Sequence, residues 1–503
     1  MISRLTGAGS SVWWWRSAVF VAGALSVTGF APLDWFPLPL VGAAILFWRV
    51  SLASCPRHAA LLGFAFGLGF FVFGVGWIYI ALHEFGGMPA WLTAPLMLLF
   101  CSYLAIFPAA ACAVTAAAPL RRRWWVFAGA WVSAEWLRGW LFTGFPWLAL
   151  GYSQVPSSPL AALAPVAGVF GVSLALTLLA TAAVSVCCGS WSRSVLATAG
   201  GIALACLISG RIEWSTGEAR ALPVTLVQGN VAQDLKFRED RLLHTLAGYR
   251  AAVEQAATPL VILPETALPL FLHEIPPAYL GALQDAARRR GGDVIAGVFQ
   301  NDPVGSDRYF NAVISLGHAP SQGYRKHHLV PFGEFIPFKA VLAPVLNDWL
   351  HIPLSDQTRG EARQRPLAVA GALVAMNICY EDVFGDEIVR QLPEATILAN
   401  VSNDAWYGRS WAAEQHLQIS QMRALESGRW MLRATNTGVT AIIDHEGRVR
   451  ARLPQFVADQ LSGTAQTRTG TTPFARAGNI PAAALAGLMV LTGVGWRRRG
   501  AST

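Results

Sequence analysis

The first 210 residues hold three acidic side chains, Asp34, Glu84 and Glu135. Charged residues are 14% of the 503-residue chain, where a soluble protein has about 25%. The deficit is concentrated in residues 1–210 and again in the apolar run 480–496. Residues 211–470 have the composition of a soluble α/β protein. At 503 residues the chain is too long for one ordinary domain. The expected layout is a membrane domain over 1–210, a soluble domain over 211–472, and a C-terminal span with a basic tail over 473–503.

A membrane span needs about 20 apolar residues. Seven candidates precede residue 211: 12–30, 33–48, 59–82, 89–120, 124–141, 160–188 and 195–209; an eighth is 480–496. The first also fits a secretory signal peptide, and because further spans follow, its cleavage would change little. Basic residues fall in alternate loops: Arg4 and Arg16, then Arg49, Arg57 and His58, then Arg121–Arg123, Arg193, and finally Arg497–Arg499. By the positive-inside rule these lie in the cytoplasm. Both termini are then cytoplasmic, and an odd number of spans puts the soluble domain outside, in the periplasm of a bacterium. The net charge of +8 is thus an orientation signal and no argument for nucleic acid. The chain has neither a Cys/His zinc spacing nor a Gly-rich phosphate loop, so no metal or cofactor is expected.

Some polar groups lie at span ends. Glu135 and Arg138 are three apart on a helix and share a face, where they can pair. Charges at membrane depth are costly; they either anchor a span end or mark a site. The Gly- and Pro-containing segment 139–147 breaks the helix and is expected to line a cavity or lie in the interface. The stretch 83–87, His-Glu-Phe-Gly-Gly, reads equally as part of a lipid-facing entrance or as a turn.

In the soluble domain, strands are expected at 223–227, 260–263, 294–299, 311–316, 373–378 and 396–401, with a hairpin over 439–453. Helices are expected at 239–258, 277–290 and 412–428. This mixture implies layered helices and sheets. Of seven cysteines, six lie in or beside apolar segments; Cys379 alone lies in the polar part, where a strand ends. A free cysteine is commonly a small buried hydrophobe, but one that ends a strand before Tyr380-Glu381-Asp382 is a candidate nucleophile. Glu265 and Lys326 also stand at strand ends. Together the three supply what acyl transfer from cysteine needs. A thiol is mostly protonated at neutral pH, with a reference pKa of about 8.5. A carboxylate takes its proton, and a cation stabilises the oxyanion.

These residues carry a resemblance. Leu263-Pro264-Glu265-Thr266, the run from Arg325-Lys326-His327-His328 to Pro337, and Asn377-Ile378-Cys379-Tyr380-Glu381-Asp382 resemble the nitrilase superfamily. The spans, with Glu135-Trp136-Leu137-Arg138-Gly139 and Gly144-Phe145-Pro146-Trp147, narrow this to the bacterial apolipoprotein N-acyltransferase family over nearly the whole length. The resemblance implies a polytopic α-helical membrane bundle with an αββα nitrilase-like sandwich on the periplasmic side. It implies Glu265 as general base, Lys326 as transition-state stabiliser and Cys379 as nucleophile. Glu334, Tyr380 and Glu381 match supporting residues of the family. Phe237 stands where the best-known members carry Trp, an exchange that keeps an aromatic wall. The implied reaction passes an acyl chain from a membrane phospholipid, usually phosphatidylethanolamine, through a Cys379 thioester. The acceptor is the α-amino group of a diacylglyceryl-cysteine at a lipoprotein N-terminus.

Two further stretches fit this picture. The insert 336–354 places Phe338, Leu342, Leu346 and Trp349 at helical spacing; it is either a helix on the core or an amphipathic arm at the membrane surface. The loop 403–408 borders a pocket or is a structural turn. The alternative function is a membrane-tethered nitrilase-like amidase or hydrolase, which uses the same three residues. A transporter is disfavoured, because the spans show no internal repeat and no matched pair of broken helices.

Overall fold

The computed structural model describes residues 11–339 and 356–495. They cluster into two compact units, each built from separated segments. One contains residues up to 79, 90–212 and from 477 onward; the other contains 80–89 and 213–476.

The first unit is helical: α1 Ser11–Ser26, α2 Pro37–Ser51, α3 Pro56–Val75, α4 Ala90–Ala117, α5 Arg123–Arg138, α6 Ala164–Cys187 and α7 Arg193–Ser209, with a C-terminal helix Ile480–Gly495. Every expected span thus has a helix. By length and composition, Pro56–Val75, Ala90–Ala117 and Pro159–Cys187 can cross a membrane, while α2, α7 and the C-terminal helix are shorter apolar helices. Hydrocarbon offers no hydrophobic drive between helices, so close backbone approach does the packing. Gly23 of α1 lies on the Phe66 carbonyl of α3, and Gly69 of α3 on the Phe20 carbonyl of α1. Likewise, Gly129 of α5 faces the Ala486 carbonyl of the C-terminal helix.

The broken segment after α5 folds back into this unit. Phe142, Thr143, Gly144 and Leu148 have positive φ, and Trp147, Leu148, Ala149, Leu150 and Tyr152 are buried. Irregular backbone survives away from water only when its polar groups find partners. Arg138 donates to the Phe145 carbonyl at 2.8 Å and the Trp147 carbonyl at 2.6 Å. Glu135 accepts from the Leu150 N–H at 2.8 Å and from the Trp131 indole at 2.9 Å. The two buried charges therefore do more than anchor a span end: they hold the re-entering chain.

The second unit is an αββα sandwich. One sheet has the order β12-β1-β2-β3-β4-β5 and the other β11-β10-β9-β8-β7-β6. The strands are β1 Ser215–Gln228, β2 Leu260–Ile262, β3 Asp293–Asn301, β4 Tyr309–Gly317, β5 Gly323–Arg325, β6 Leu367–Val369, β7 Ala372–Ile378, β8 Ile397–Ser402, β9 Met431–Thr435, β10 Ala441–Ile443, β11 Val449–Arg452 and β12 Asp459–Gly470. Successive side chains on a strand point to opposite faces, and here both faces are covered. Leu260 and Ile262 of β2 meet Val374, Met376 and Ile378 of β7 in the core between the sheets. Val261 and Leu263 instead face α8 Glu239–Gln255 and α9 Pro277–Arg289, through Val253 and Leu283. On the far side, Ala375 and Leu398 pack under α10 Ala412–Ser427, through Ala413 and Leu417. The β1–β2–β3 and β7–β8–β9 pairings are parallel. As a result, several loops after strands open at one end of the sandwich, where the candidate site lies.

Of the stretch 83–87, residues 83–85 fall in a π-helical turn, Ala81–Phe85, which Gly86 ends. Its Phe85 ring meets Trp406 edge-on at 6.1 Å. Of the expected arm, residues 340–354 lie outside the described residues.

Candidate active site

Cys379 follows the last residue of β7 with φ 53°. A positive φ is uncommon for a residue with a side chain, and here it turns the chain abruptly into the short helix Cys379–Val383. The Cys379 carbonyl is fixed from below. Asn400 Nδ2 of β8 donates to it at 3.2 Å, and His416 Nε2 of α10 lies at the same distance. His416 Nδ1 is in turn 2.9 Å from Asp404 Oδ1, and Arg433 of β9 donates to Asp404 Oδ2 at 2.9 Å. Burial alone would raise the Asp404 pKa, but His416 and Arg433 overcome it and hold the carboxyl below its usual range. Asp404 of the loop 403–408 is thus part of a buried polar network under the cysteine.

Glu265 lies in the turn after β2. That turn presses on β3 at Gly297, where a Cβ would strike the backbone of Pro264 and Thr266. Lys326 follows β5, is fully buried, and is held by its own N–H, which donates to the Asn311 carbonyl at 2.8 Å. Its ammonium donates to Glu334 Oε1 at 2.7 Å and lies 3.6 Å from Glu265 Oε1. Burial opposes the Lys326 charge, yet Glu334 and Glu265 outweigh it and keep the ammonium protonated above its ordinary range. Glu334 is fixed by the Val330 N–H at 2.8 Å.

The structure brings Glu265, Lys326, Glu334 and Cys379 together. Burial and the Glu265 charge push the Cys379 thiol up, and Lys326 pulls it down. A base beside such a thiol has to take its proton as attack begins.

Glu381 is a brace. It accepts from the Ile378 N–H at 2.7 Å, the His327 N–H at 2.6 Å, the His328 N–H at 3.1 Å and the Tyr324 hydroxyl at 3.0 Å. It therefore ties the end of the cysteine strand to the lysine segment. Burial pushes its carboxyl up to about 7, against the pull of those backbone donors. Tyr380 is buried, with its ring 5.3 Å from Phe384 and 5.9 Å from His328. Phe237 is 58% exposed and lies 6.3 Å from Phe299. Phe299 continues to Phe271 and Tyr309 at 6.0 Å each, which makes an aromatic wall.

Sequence reasoning missed three contributors. Asn311 of β4 donates to Glu265 Oε1 at 2.7 Å and to Glu334 Oε1 at 3.4 Å; its only signal is an amide inside an apolar strand. Lys236, beside Phe237, is buried and donates to the Glu265 carbonyl at 3.0 Å. The His416–Asp404–Arg433 network joins residues from three distant elements; only Asp404, in the 403–408 loop, has a sequence signal, and its partners have none. Among the described residues no cluster of His, Cys, Asp and Glu has the makings of a metal site.

Residues 22–182 match the family described as apolipoprotein N-acyltransferase N-terminal domain, and residues 224–473 match carbon-nitrogen hydrolase. The chain is 48% identical to the apolipoprotein N-acyltransferase of Nitrosomonas europaea, over 95% of this chain and 96% of that one. It is 44% identical to that of Chromobacterium violaceum, over 96% and 94%, and 44% identical to that of Methylococcus capsulatus, over 96% of each. Among solved structures, the C. elegans NitFhit protein aligns at TM-score 0.39 and 17% identity, over 50% of this chain and 61% of its own.

Proposed function

Because the chain belongs to the apolipoprotein N-acyltransferase family, we propose that it N-acylates lipoproteins by a two-step transfer through a Cys379 thioester. The convergence of Glu265 and Lys326 on Cys379, with Glu334 paired to Lys326, carries this reading. In the first step Glu265 takes the thiol proton, and sulfur attacks the ester carbonyl carbon of a phospholipid. The carbonyl electron pair moves to oxygen. Collapse then breaks the C–O bond, and the departing alkoxide of the lysophospholipid takes the proton back from Glu265. In the second step the lipoprotein α-amine attacks the thioester, Glu265 accepts an amine proton, and the thiolate leaves and is reprotonated.

In this reading Lys326 keeps the carboxylates apart and stabilises the oxyanion. Glu334 orients Lys326, Tyr380 and Glu381 support the cysteine turn, and Phe237 contributes to an acyl-chain wall. Phosphatidylethanolamine is the proposed donor. The protein is a membrane protein, and the basic loops support an inner-membrane orientation with a periplasmic catalytic domain over 211–472 and cytoplasmic termini. A bundle over 1–210 and a final span within 473–503 tie that domain to its lipid substrates.

Intact mass of the purified protein tests the reading, after incubation with phosphatidylethanolamine and no acceptor. The expected result is one added acyl group, removable by hydroxylamine and absent in Cys379→Ala. A diacylglyceryl-cysteine peptide should then discharge it onto its amine. No adduct on folded protein would overturn the two-step route, and discharge to water alone would make the protein a hydrolase.

A further inference from the structure

Lys236 sits in the 229–238 loop between β1 and α8, beside the exposed Phe237, yet only 4% of it is exposed. A lysine in a surface loop ordinarily keeps its ammonium in water. This one turns inward and donates to the main-chain carbonyl of Glu265 at 3.0 Å. Burying an ammonium is costly unless neighbouring charge compensates. Burial pulls the Lys236 pKa down to about 8, while the Glu265 and Cys379 charges act in the opposite sense.

The two buried lysines are not equivalent. Lys326 is committed to carboxylates, with Glu334 at 2.7 Å and Glu265 at 3.6 Å. Lys236 forms no ion pair with a carboxylate among the described residues; its bond is to a neutral carbonyl. With the thiol protonated, Glu265, Glu334 and Lys326 sum to one negative charge. When the Cys379 proton moves to Glu265, that charge passes to sulfur, and then to the carbonyl oxygen as the S–C bond forms. Lys326 is already matched by Glu334. Among the described residues, Lys236 is the cation near Glu265 and Cys379 that is not matched by a carboxylate.

We propose that Lys236 is an electrostatic positioning residue for the acylation step, adding to the oxyanion-stabilising Lys326 a second positive charge that balances the Cys379 thiolate. Its fixed bond to Glu265 keeps that charge beside the proton acceptor. The groups that act on Cys379 are Glu265, Lys326, Asp404, Tyr407 and the Ser402 hydroxyl, together with Lys236 itself, while His416 meets its carbonyl. Of these, Asp404 is spoken for by His416 and Arg433.

The acylation arm of the test rests on the acyl-transfer reading above; the thiolate arm does not. The full-length protein in phosphatidylethanolamine nanodiscs is compared with Lys236→Gln, Lys236→Met and Lys236→Arg, and Cys379→Ala sets the background from other cysteines. Alkylation by iodoacetamide and acyl-enzyme formation are followed by intact mass across a pH series. Gln and Met should move the alkylation profile up by about one to two pH units. They should also slow acylation near neutral pH by roughly tenfold or more with the half-saturating donor concentration unchanged, and Arg should restore most of the rate. Gln keeps a hydrogen-bond donor for the Glu265 carbonyl, so it removes charge with little loss of packing and carries the test if Met does not fold. A Gln variant with both profiles in the wild-type position overturns the proposal. So does a raised donor requirement with an unmoved alkylation profile, which would make Lys236 a lipid headgroup contact. A Lys236-dependent alkylation profile in a protein that never forms an acyl-enzyme would refute the acyl-transfer reading and leave only the balancing of the thiolate standing.

Discussion

Glu381 is where a single carboxylate holds two parts of the site. Replacing it by alanine leaves the Ile378, His327 and His328 N–H groups and the Tyr324 hydroxyl without their acceptor. A buried donor left unpaired costs about 1–3 kcal/mol, so four cost roughly 4–12 kcal/mol. That is on the scale of a whole domain's stability, about 5–15 kcal/mol, and Glu381→Ala should not give a folded catalytic unit. Glu381→Gln is the informative change. One amide oxygen can still accept from His327 and His328, and the amide NH2 can turn to the Tyr324 oxygen. The Ile378 N–H, which meets the other carboxylate oxygen, then faces an N–H. One lost partner costs about 1–3 kcal/mol, and a domain of this size melts roughly 2–4 °C lower per kcal/mol.

The functional effect should be larger than the thermal one. Ile378 precedes the nucleophile, and His327 follows the lysine, so a slack brace moves Cys379 and Lys326 relative to each other. A shift of about 1 Å at a reacting centre costs on the order of a hundredfold in rate. The assay pairs a melting curve in detergent with the single-turnover rate of acyl-enzyme formation. A Glu381→Gln protein that melts with wild type and acylates at the wild-type rate would refute the brace.

Glu334→Gln removes the closest carboxylate from Lys326 and lets the ammonium settle on Glu265, tying up the base. Acyl-enzyme formation should fall about a hundredfold or more, with melting lowered far less than the rate, and equal rates would count against the pairing. Gly297→Ala puts a Cβ into the backbone of the Glu265 turn. It should slow acylation while the Cys379 alkylation profile keeps a wild-type shape; normal acylation would show that the turn can retreat freely. Lys236 has a folded pKa of about 8 below its ordinary 10.5. Between those values the unfolded chain binds the proton that the folded one has lost, so stability rises with pH across that window. The slope is on the order of 1.4 kcal/mol per pH unit. Melting of wild type against Lys236→Met should therefore diverge in favour of wild type as pH climbs above about 8, and parallel curves would remove the buried charge from the account.

Three of the strands that could be read from sequence are buried on both faces, although β9, equally buried, is not among those read. β2, β7 and β8 are short apolar runs because one side meets the opposite sheet and the other meets helices. β12 was invisible for the opposite reason. Its Asp459, Gln460, Ser462, Thr464 and Gln466 are polar, and what makes it a strand is its register against β1, from Ser215↔Gly470 to Gln228↔Asp459. No local pattern encodes a pairing across some 240 residues. The expected helix at 412–428 is present, yet His416 and Ser420 on it are buried, because they serve a network under Cys379 that no helical period reveals. Glu265, Lys326 and Cys379 could be found because each stands where a strand stops. Lys236 and Asn311 could not, since each matters only through the groups that the fold brings to it.

The same fold explains why these groups meet at all. Glu265 and Lys326 leave strands of one sheet, β2 and β5, while Cys379 leaves β7 of the other. Among the described residues no hydrogen-bond ladder joins one sheet to the other. Their separation is set by the side chains between them, such as Ile262, Val313, Met376 and Val401. Close-packed interiors transmit small volume changes, so a methylene removed from that layer displaces the base and lysine as a pair relative to the sulfur. Tyr324 shows the coupling most directly: its ring packs in the inter-sheet core, and its hydroxyl reaches across to Glu381. The distance from carboxylate to thiol is thus a property of the sandwich core before it is a property of the site, and the Glu381 brace is what makes that distance specific.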